Sequence, residues 1–182
     1  MNSTLHNKYS KNTFEKSKTK PSFRGGTLKR EKSLNIDALY NDILHRLVET
    51  KVGINSTYSS TLENIGDKLL FYKFRGVYAS DKIPQLNDIK PYCILNLDKS
   101  NEPGSHWIAL AKKKDKNECL VYDSFGRNYK KIISPLGFSG NGRIYNTDKD
   151  AEQKISEQNC GARCLAFLVF FDKYGWNKAI KI

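Results

Sequence analysis

The chain has 182 residues, of which 38% are hydrophobic, and a net charge of +12. This length allows one domain with a full hydrophobic core and a short appendage. No apolar run is long enough to cross a membrane, and the N-terminus lacks the apolar core of a signal peptide, so we expect a protein of a cytosolic type of compartment with no membrane partner. Four cysteines in a chain of this size do not indicate a disulfide framework.

The positive charge is concentrated near the N-terminus. Up to Leu34 nine Lys and Arg residues stand against two Glu, a net charge of +7, and the segment is rich in Ser, Thr and Asn. We therefore expect a disordered basic tail over residues 1–34 and a folded domain over residues 35–182. Two roles for the tail remain open: a solubilising segment, or an arm that binds nucleic acid.

The folded part begins with helical signals and continues with strands. Apolar residues at helical spacing predict a first helix from Asn35 to Val48, with His45 on its solvent face. Short apolar runs that are bounded by turn residues predict the later strands. The remaining predicted elements are a loop at 52–60, a helix at 61–68, an extended run at 69–74, strands at 92–97, 106–111 and 119–122, a helix at 129–133 and a strand at 143–146.

A long apolar segment near the C-terminus predicts a buried helix from Cys160 to Tyr174 that ends at Gly175. Together with the short strands it indicates an α+β domain, in which a small central antiparallel or mixed sheet packs against this helix. A cysteine in the first turn experiences the positive end of the helix dipole, which favours the nucleophilic thiolate. The alternative is that Cys160 is a small buried core residue.

A nucleophilic cysteine needs a base, and His106 at the start of a buried strand is the candidate. If Ala111 lies opposite Glu118 in a hairpin of the second and third strands, His106 lies directly opposite Asp123. The carboxylate could then orient the imidazole. The alternative is that His106 ends a strand edge and Asp123 begins a turn, and one register slip would separate them.

An acyl-transfer site also needs donors for the oxyanion. The backbone N–H of Cys160 at the helix start is one. A side-chain amide is the usual second donor, and the spacing alone does not rank the three nearby candidates, which are Gln153, Gln158 and Asn159.

Taken together, these motifs resemble the adenovirus protease (adenain) family and, more distantly, the SUMO and ubiquitin-like-protein proteases of the same clan. The resemblance begins near Leu62, and the order His, acid, Gln, Cys is that of the clan. The matching segments are Gly104-Ser105-His106-Trp107, Val121-Tyr122-Asp123-Ser124-Phe125-Gly126, and Gln153 seven positions before Cys160-Gly161.

The resemblance implies that Cys160 is the nucleophile, His106 the base, Asp123 its orienting partner and Gln153 the oxyanion donor. It also implies that Trp107 lines a narrow substrate channel beside Gly161. Such a channel favours glycine, which implies cleavage at Gly-Gly or Gly-X-Gly sites. The resemblance further implies that the substrates are capsid or core proteins of a DNA virus or virus-like element, and we expect a monomer located in the virion and the host cytoplasm. No metal or other cofactor is expected for the chemistry, Cys164 is expected in the core, and DNA or a peptide is a candidate activator.

The sequence also departs from the adenovirus pattern. That enzyme has Glu where this chain has Asp123, its activating peptide is captured by a cysteine that is absent around Arg143, and it has no basic tail. Within the tail, Phe23-Arg24-Gly25-Gly26 is either a flexible hinge or a self-cleavage site. Two other functions stay open: a deconjugating protease for a ubiquitin-like protein, and an inactive basic packaging protein that binds nucleic acid.

Overall fold

A computed structural model describes residues 35–53, 55, 57–84, 91–113, 116–133, 142–148 and 150–182. The tail over residues 1–34, including Gly25-Gly26 and the predicted nucleic-acid-binding arm, lies outside the described residues. Ten regular elements fold in the described part: helices α1 (Ile36–Leu47), α2 (Ser59–Leu70), α3 (Tyr129–Ile132), α4 (Cys160–Tyr174) and α5 (Trp176–Ala179), and strands β1 (Phe74–Tyr78), β2 (Tyr92–Asn96), β3 (Trp107–Lys112), β4 (Glu118–Tyr122) and β5 (Arg143–Asn146).

The strands form one mixed sheet in the order β1-β2-β3-β4-β5. The central pairs β2–β3 and β3–β4 are antiparallel, whereas the outer pairs β1–β2 and β4–β5 are parallel. Alternate side chains of the central strands enter a large core with α1, α2 and α4, and the others enter a smaller core with α3. The predicted α+β class is therefore confirmed, and the sheet is covered on both faces.

Helix α1 follows the predicted pattern closely. Asn35 caps it, because its side-chain oxygen accepts a hydrogen bond from the N–H of Ala38 over 3.1 Å. Tyr40 and Leu44 are buried on the apolar stripe. His45 lies on the solvent face, as predicted, 3.2 Å from Glu49. A π-helical turn over Val48–Val52, which the sequence pattern did not indicate, follows the helix.

Helix α4 has the predicted bounds and is buried along most of its length. Gly175 ends it with φ +78°, a conformation that glycine adopts without strain, and the N–H of Gly175 donates to the carbonyl of Phe171 over 2.8 Å. Phe167 stacks on Tyr122 of β4 with ring centroids 4.7 Å apart. This packing holds the N-terminal end of α4 close to the ends of the central strands.

The predicted register of the β3–β4 hairpin is wrong by two residues. Ala111 lies opposite Leu120, not Glu118, because β3 continues to Lys112 and the N–H of Lys113 still donates to the carbonyl of Glu118 over 2.8 Å. The turn is therefore shorter than expected. Since side chains alternate with a period of two, an even shift leaves His106 and Asp123 on the same side of the hairpin as diagonal neighbours.

The boundary between α2 and β1 also differs from the prediction. The extended run predicted at 69–74 is the end of α2, which reaches Leu70, followed by a single 3-10 turn over Phe71–Lys73. Phe74 then begins β1, and its ring lies where a side chain at Gly66 of α2 would be. Burial of this ring thus sets the point at which the helix gives way to the strand.

The short helix α5 was not predicted, since it has too few residues for a periodic pattern. Of the helices in the part of the chain that the structure describes, none is both long and apolar enough to span a membrane.

Candidate functional site

Three elements bring the predicted chemical groups together. His106 precedes β3, Asp123 follows β4, and Cys160 opens α4. All three are buried, with 6%, 4% and 9% of their surfaces exposed. Because the central strands pack against α4, residues that are distant in sequence meet at one end of the sheet.

The imidazole and the carboxylate are in direct contact. Nε2 of His106 lies 2.7 Å from Oδ1 of Asp123. Burial favours the neutral acid, but hydrogen bonds from His106 and Arg127 hold the pKa of Asp123 below its usual value, so the carboxylate accepts and Nε2–H donates. Oδ1 also accepts the N–H of Phe125 over 3.1 Å, and Oδ2 accepts Nε–H of Arg127 over 2.7 Å. The carboxylate is thus fixed at both oxygens.

The imidazole of His106 lies close enough to the thiol of Cys160 for each group to shift the pKa of the other. Since Nε2 is bound to Asp123, Nδ1 is the ring nitrogen that remains for the sulfur. Burial favours the neutral thiol, but His106 and the backbone N–H groups of Trp107 and Gly161 together lower the pKa of Cys160 below its ordinary value. Burial likewise opposes a charged imidazole, but Asp123 and Cys160 together raise the pKa of His106. These opposite shifts favour a thiolate–imidazolium pair.

Gln153 lies beside this pair and is held at both ends of its amide. Its Oε1 accepts a hydrogen bond from Oγ–H of Ser124 over 2.7 Å, and its Nε2 donates to the carbonyl of Glu157 over 2.6 Å. An amide nitrogen carries two N–H donors, so one is left for the cleft that Gln153 and Cys160 both line. The N–H of Cys160 at the first position of α4 is the second donor that this geometry offers.

The other two amides that the sequence left open are placed differently. Gln158 is exposed at the cleft. Oδ1 of Asn159 accepts a hydrogen bond from Nε–H of Arg163 over 2.9 Å, so the amide of Asn159 is engaged within the protein. Arg163 also donates to Oε2 of Glu157 over 3.0 Å, and so ties the first turn of α4 to the segment that holds Gln153.

Trp107 and Gly161 both lie next to the nucleophile. Trp107 lines the cleft, and its indole N–H donates to the carbonyl of Thr57 over 3.1 Å. A Cβ on Gly161 would lie 3.1 Å from the side chains of Leu62 and Thr57. The structure therefore gives Gly161 a packing role, since it lets the start of α2 approach the start of α4; its part in substrate binding stays a prediction.

The cleft above these residues has a volume of about 690 Å³. Its walls come from the start of α2, from the segment 99–105 that precedes His106, and from the segment 153–158 that precedes Cys160. Cys160 and His106 both line it. A ligand in this cleft can therefore meet the sulfur, the imidazole and the candidate oxyanion donors at once.

The other cysteines are core residues. Cys93, Cys119 and Cys164 are fully buried and unpaired, and burial raises the pKa of each. This agrees with the core position predicted for Cys164. Among the described residues, no group of three or more His, Cys, Asp or Glu side chains is arranged to hold a metal ion.

Three residues of the site were not found by sequence reasoning. Ser124, Arg127 and Arg163 act through side-chain contacts with Gln153, Asp123 and the segment before α4. For Ser124 and Arg127 a weak signal existed, since both follow Asp123 closely in the sequence. For Arg163 the signal was a charged residue within the apolar helix α4, where it is 7% exposed.

No family model and no curated protein matches this chain. Among solved structures the chain is similar to one described as SUMO protease Ulp1 with the catalytic cysteine oxidized to a sulfenic acid. The two share 13% sequence identity with a TM-score of 0.38, over 85% of this chain and 93% of that chain. A likeness of this degree carries neither a fold assignment nor a function, which rest on the geometry described above.

Proposed function

We propose that this chain is a cysteine endopeptidase. The observation that carries the proposal is that Cys160 and His106 line one cleft while His106 is hydrogen-bonded to the buried carboxylate of Asp123. A thiol with a lowered pKa, an imidazole with a raised pKa and a fixed carboxylate are the groups that nucleophilic acyl transfer requires.

In the proposed reaction the thiolate of Cys160 attacks the carbonyl carbon of a peptide bond. The resulting oxyanion accepts hydrogen bonds from the N–H of Cys160 and from Nε2–H of Gln153. The imidazolium of His106 gives its proton to the leaving amine as the C–N bond breaks, which leaves a thioester on Cys160. His106 then takes a proton from water as the oxygen of that water attacks the thioester carbon. The C–S bond breaks, which releases the carboxylic acid and restores the thiolate of Cys160 beside the imidazolium.

The finer proposal is cleavage at Gly-Gly or Gly-X-Gly sites, in capsid or core proteins within the virion and the host cytoplasm. It is supported by the resemblance of the motifs, and by the bulk of Trp107 beside Cys160, which favours residues without side chains near the scissile bond. The cleft also carries two exposed apolar side chains, Tyr58 (80% exposed) and Ile155 (96% exposed), which are suited to apolar residues elsewhere in the substrate.

A fluorogenic peptide that ends in Gly-Gly tests the proposal. We expect turnover that iodoacetamide abolishes and that Cys160→Ala lacks. Cys164→Ala is the matched control, because it removes a core thiol in the same helix and should lower stability rather than turnover. No turnover of any Gly-containing peptide, with Cys160 inert to alkylation, would refute the enzyme. Cleavage of a folded ubiquitin-like protein together with poor cleavage of free peptides would favour deconjugation instead.

A second proposal concerns nucleic acid, because residues 1–34 carry more than half of the net charge of +12. Binding of DNA through this tail should weaken steeply as salt rises, since released counterions drive it. A chain that begins at Asn35 should show a smaller salt slope. Turnover measured with and without DNA in the same assay tests whether DNA also acts as an activator, and equal salt slopes would assign any binding to the folded domain.

A further inference from the structure

The carboxylate of Asp123 is shared between two basic groups. Its Oδ1 accepts from His106, while its Oδ2 accepts from Nε of Arg127 over 2.7 Å. The Asp123 side chain is 2% exposed, whereas that of Arg127 is 44% exposed. The guanidinium therefore lies at the solvent edge of the site and reaches inward to the acid, four residues away along the same loop.

Arg127 and His106 also lie against the same aromatic ring, that of Phe125. The centroid of Phe125 lies 4.7 Å from that of the His106 imidazole, with 30° between the ring planes. The guanidinium carbon of Arg127 lies 5.5 Å from the Phe125 centroid. Cation–π attraction at this distance holds Phe125 in place beside the imidazole. Arg127 is thus linked to His106 through two shared neighbours, the carboxylate of Asp123 and the ring of Phe125.

We propose that Arg127 is a positioning residue: it fixes the Asp123 carboxylate and shares its negative charge, so that the imidazolium of His106 gives up its proton to the leaving group more readily. The proposal rests on the peptidase function proposed above. It assigns Arg127 no contact with the substrate.

The direction of the effect follows from the charges around the pair. Asp123 alone favours the imidazolium, and the thiolate of Cys160 favours it too. Arg127 acts against both, because a second cation beside the carboxylate offsets part of its charge. From α4, Cys160 and Cys164 are the titratable groups that face this cluster, and Cys164 is held neutral by burial. Arg127 is a cation bound to the carboxylate that favours the imidazolium, so it opposes protonation of His106.

Arg127→Gln is the informative variant, because it keeps a hydrogen-bond donor and removes the charge. We expect the alkaline limb of kcat/KM to move up by about half a pH unit, and kcat to fall about threefold with KM unchanged, since a more basic imidazolium is a weaker acid. Arg127→Lys should keep the limb in place. Lys130→Gln is the matched control, because it removes one charge from a neighbouring exposed position.

A second readout does not depend on turnover. NMR titration of the imidazoles should show the His106 pKa raised in Arg127→Gln relative to the unmodified protein. This shift is expected even if the chain hydrolyses no peptide, so failure of the proposed function and failure of this inference can be told apart. An unshifted or lowered His106 titration, or equal loss of activity at all pH values in the Gln and Lys variants, would overturn the role of Arg127.

Discussion

Oγ–H of Ser124 donates a 2.7 Å hydrogen bond to Oε1 of Gln153. The two backbones are joined as well, since the N–H of Gln153 donates to the carbonyl of Ser124 over 2.9 Å. Ser124 directly follows Asp123, so the residue next to the acid decides which way the amide of Gln153 faces. With Oε1 turned to Ser124, Nε2 is directed to Glu157 and the cleft, as an oxyanion donor must be.

Ser124→Ala should therefore impair catalysis more than binding. Without the hydroxyl, Oε1 of Gln153 is left buried with no partner, which costs about 1–3 kcal/mol of stability. The amide is then free to turn, and we expect kcat to fall about tenfold with KM little changed. Steady-state kinetics and thermal unfolding measure both effects. Ser156→Ala, at an exposed position of the same segment, is the control; a folded Ser124→Ala protein with full kcat would contradict this role.

Alkylation should distinguish Cys160 from the other three cysteines. Burial raises the pKa of Cys119 to about 12 and those of Cys93 and Cys164 well above the ordinary value. Cys160 lines the cleft with a lowered pKa. Iodoacetamide should therefore add one label to the native protein, at Cys160, and none to Cys160→Ala. Peptide mapping by mass spectrometry identifies the site, and native labelling of the core cysteines would show that the fold opens.

The pH dependence of that reaction has a definite sign. A lowered thiol pKa means that the thiolate of Cys160 persists below the usual thiol range near pH 8.5, so labelling should remain fast at about pH 6. His106→Gln removes the main group that stabilises the thiolate. In that variant the rate at about pH 6 should fall at least tenfold, and the inflection should move to higher pH. An unchanged profile would mean that the imidazole does not contact the sulfur in solution.

Asp123→Asn tests the orienting carboxylate. An amide still accepts Nε2–H of His106 but carries no charge, so it stabilises the imidazolium less well. We expect kcat to fall by about two orders of magnitude while some activity is kept. The alkaline limb should also move to lower pH, opposite in direction to the shift expected for Arg127→Gln. Asp150→Asn, at an exposed position, controls for the change in charge, and a variant with a full rate would remove Asp123 from the mechanism.

Local patterns were sufficient to predict the elements that carry the site. The bounds of α4 could be read from one apolar run and Gly175, and β5 was predicted at its observed residues. The hairpin register could not be read in the same way. It depends on hydrogen bonds at Lys113 and Glu118 beyond the apolar runs, where the sequence is polar and fits several turn lengths. His106 and Asp123 still lie on the same face of the hairpin, because the register error is an even number of residues.

The side-chain network around the site was harder to predict, because it joins residues that are far apart in sequence. The contact between Ser124 and Gln153 spans 29 positions, and that between Trp107 and Thr57 spans 50. Neither has a periodicity or a local composition that reveals it. Such contacts follow from the packing of α2 and α4 against the sheet, and they appear only once the register and the helix positions are fixed.

Gly161→Ala tests how that packing supports the cleft. A new Cβ would lie 3.1 Å from Leu62 and Thr57, and the Thr57 carbonyl accepts the indole N–H of Trp107. Overpacking at a tight contact costs about 1–3 kcal/mol, partly offset by the better helix propensity of Ala. We therefore expect lower stability and, because the Trp107 wall shifts, a severalfold higher KM.

The matched partner for this change is Leu62→Val, which removes one methylene from the side chain that the new Cβ meets. Alone it should destabilise by about 1 kcal/mol. If the contact with Leu62 is the cause, the double variant should be more stable than the sum of the two single changes implies, because the shorter side chain at position 62 makes room for the new Cβ at position 161. Denaturant unfolding of the four proteins gives the coupling. Strict additivity would show that the contact with Leu62 is not the cause, and a KM raised in Gly161→Ala with no loss of stability would instead place Gly161 in contact with the substrate.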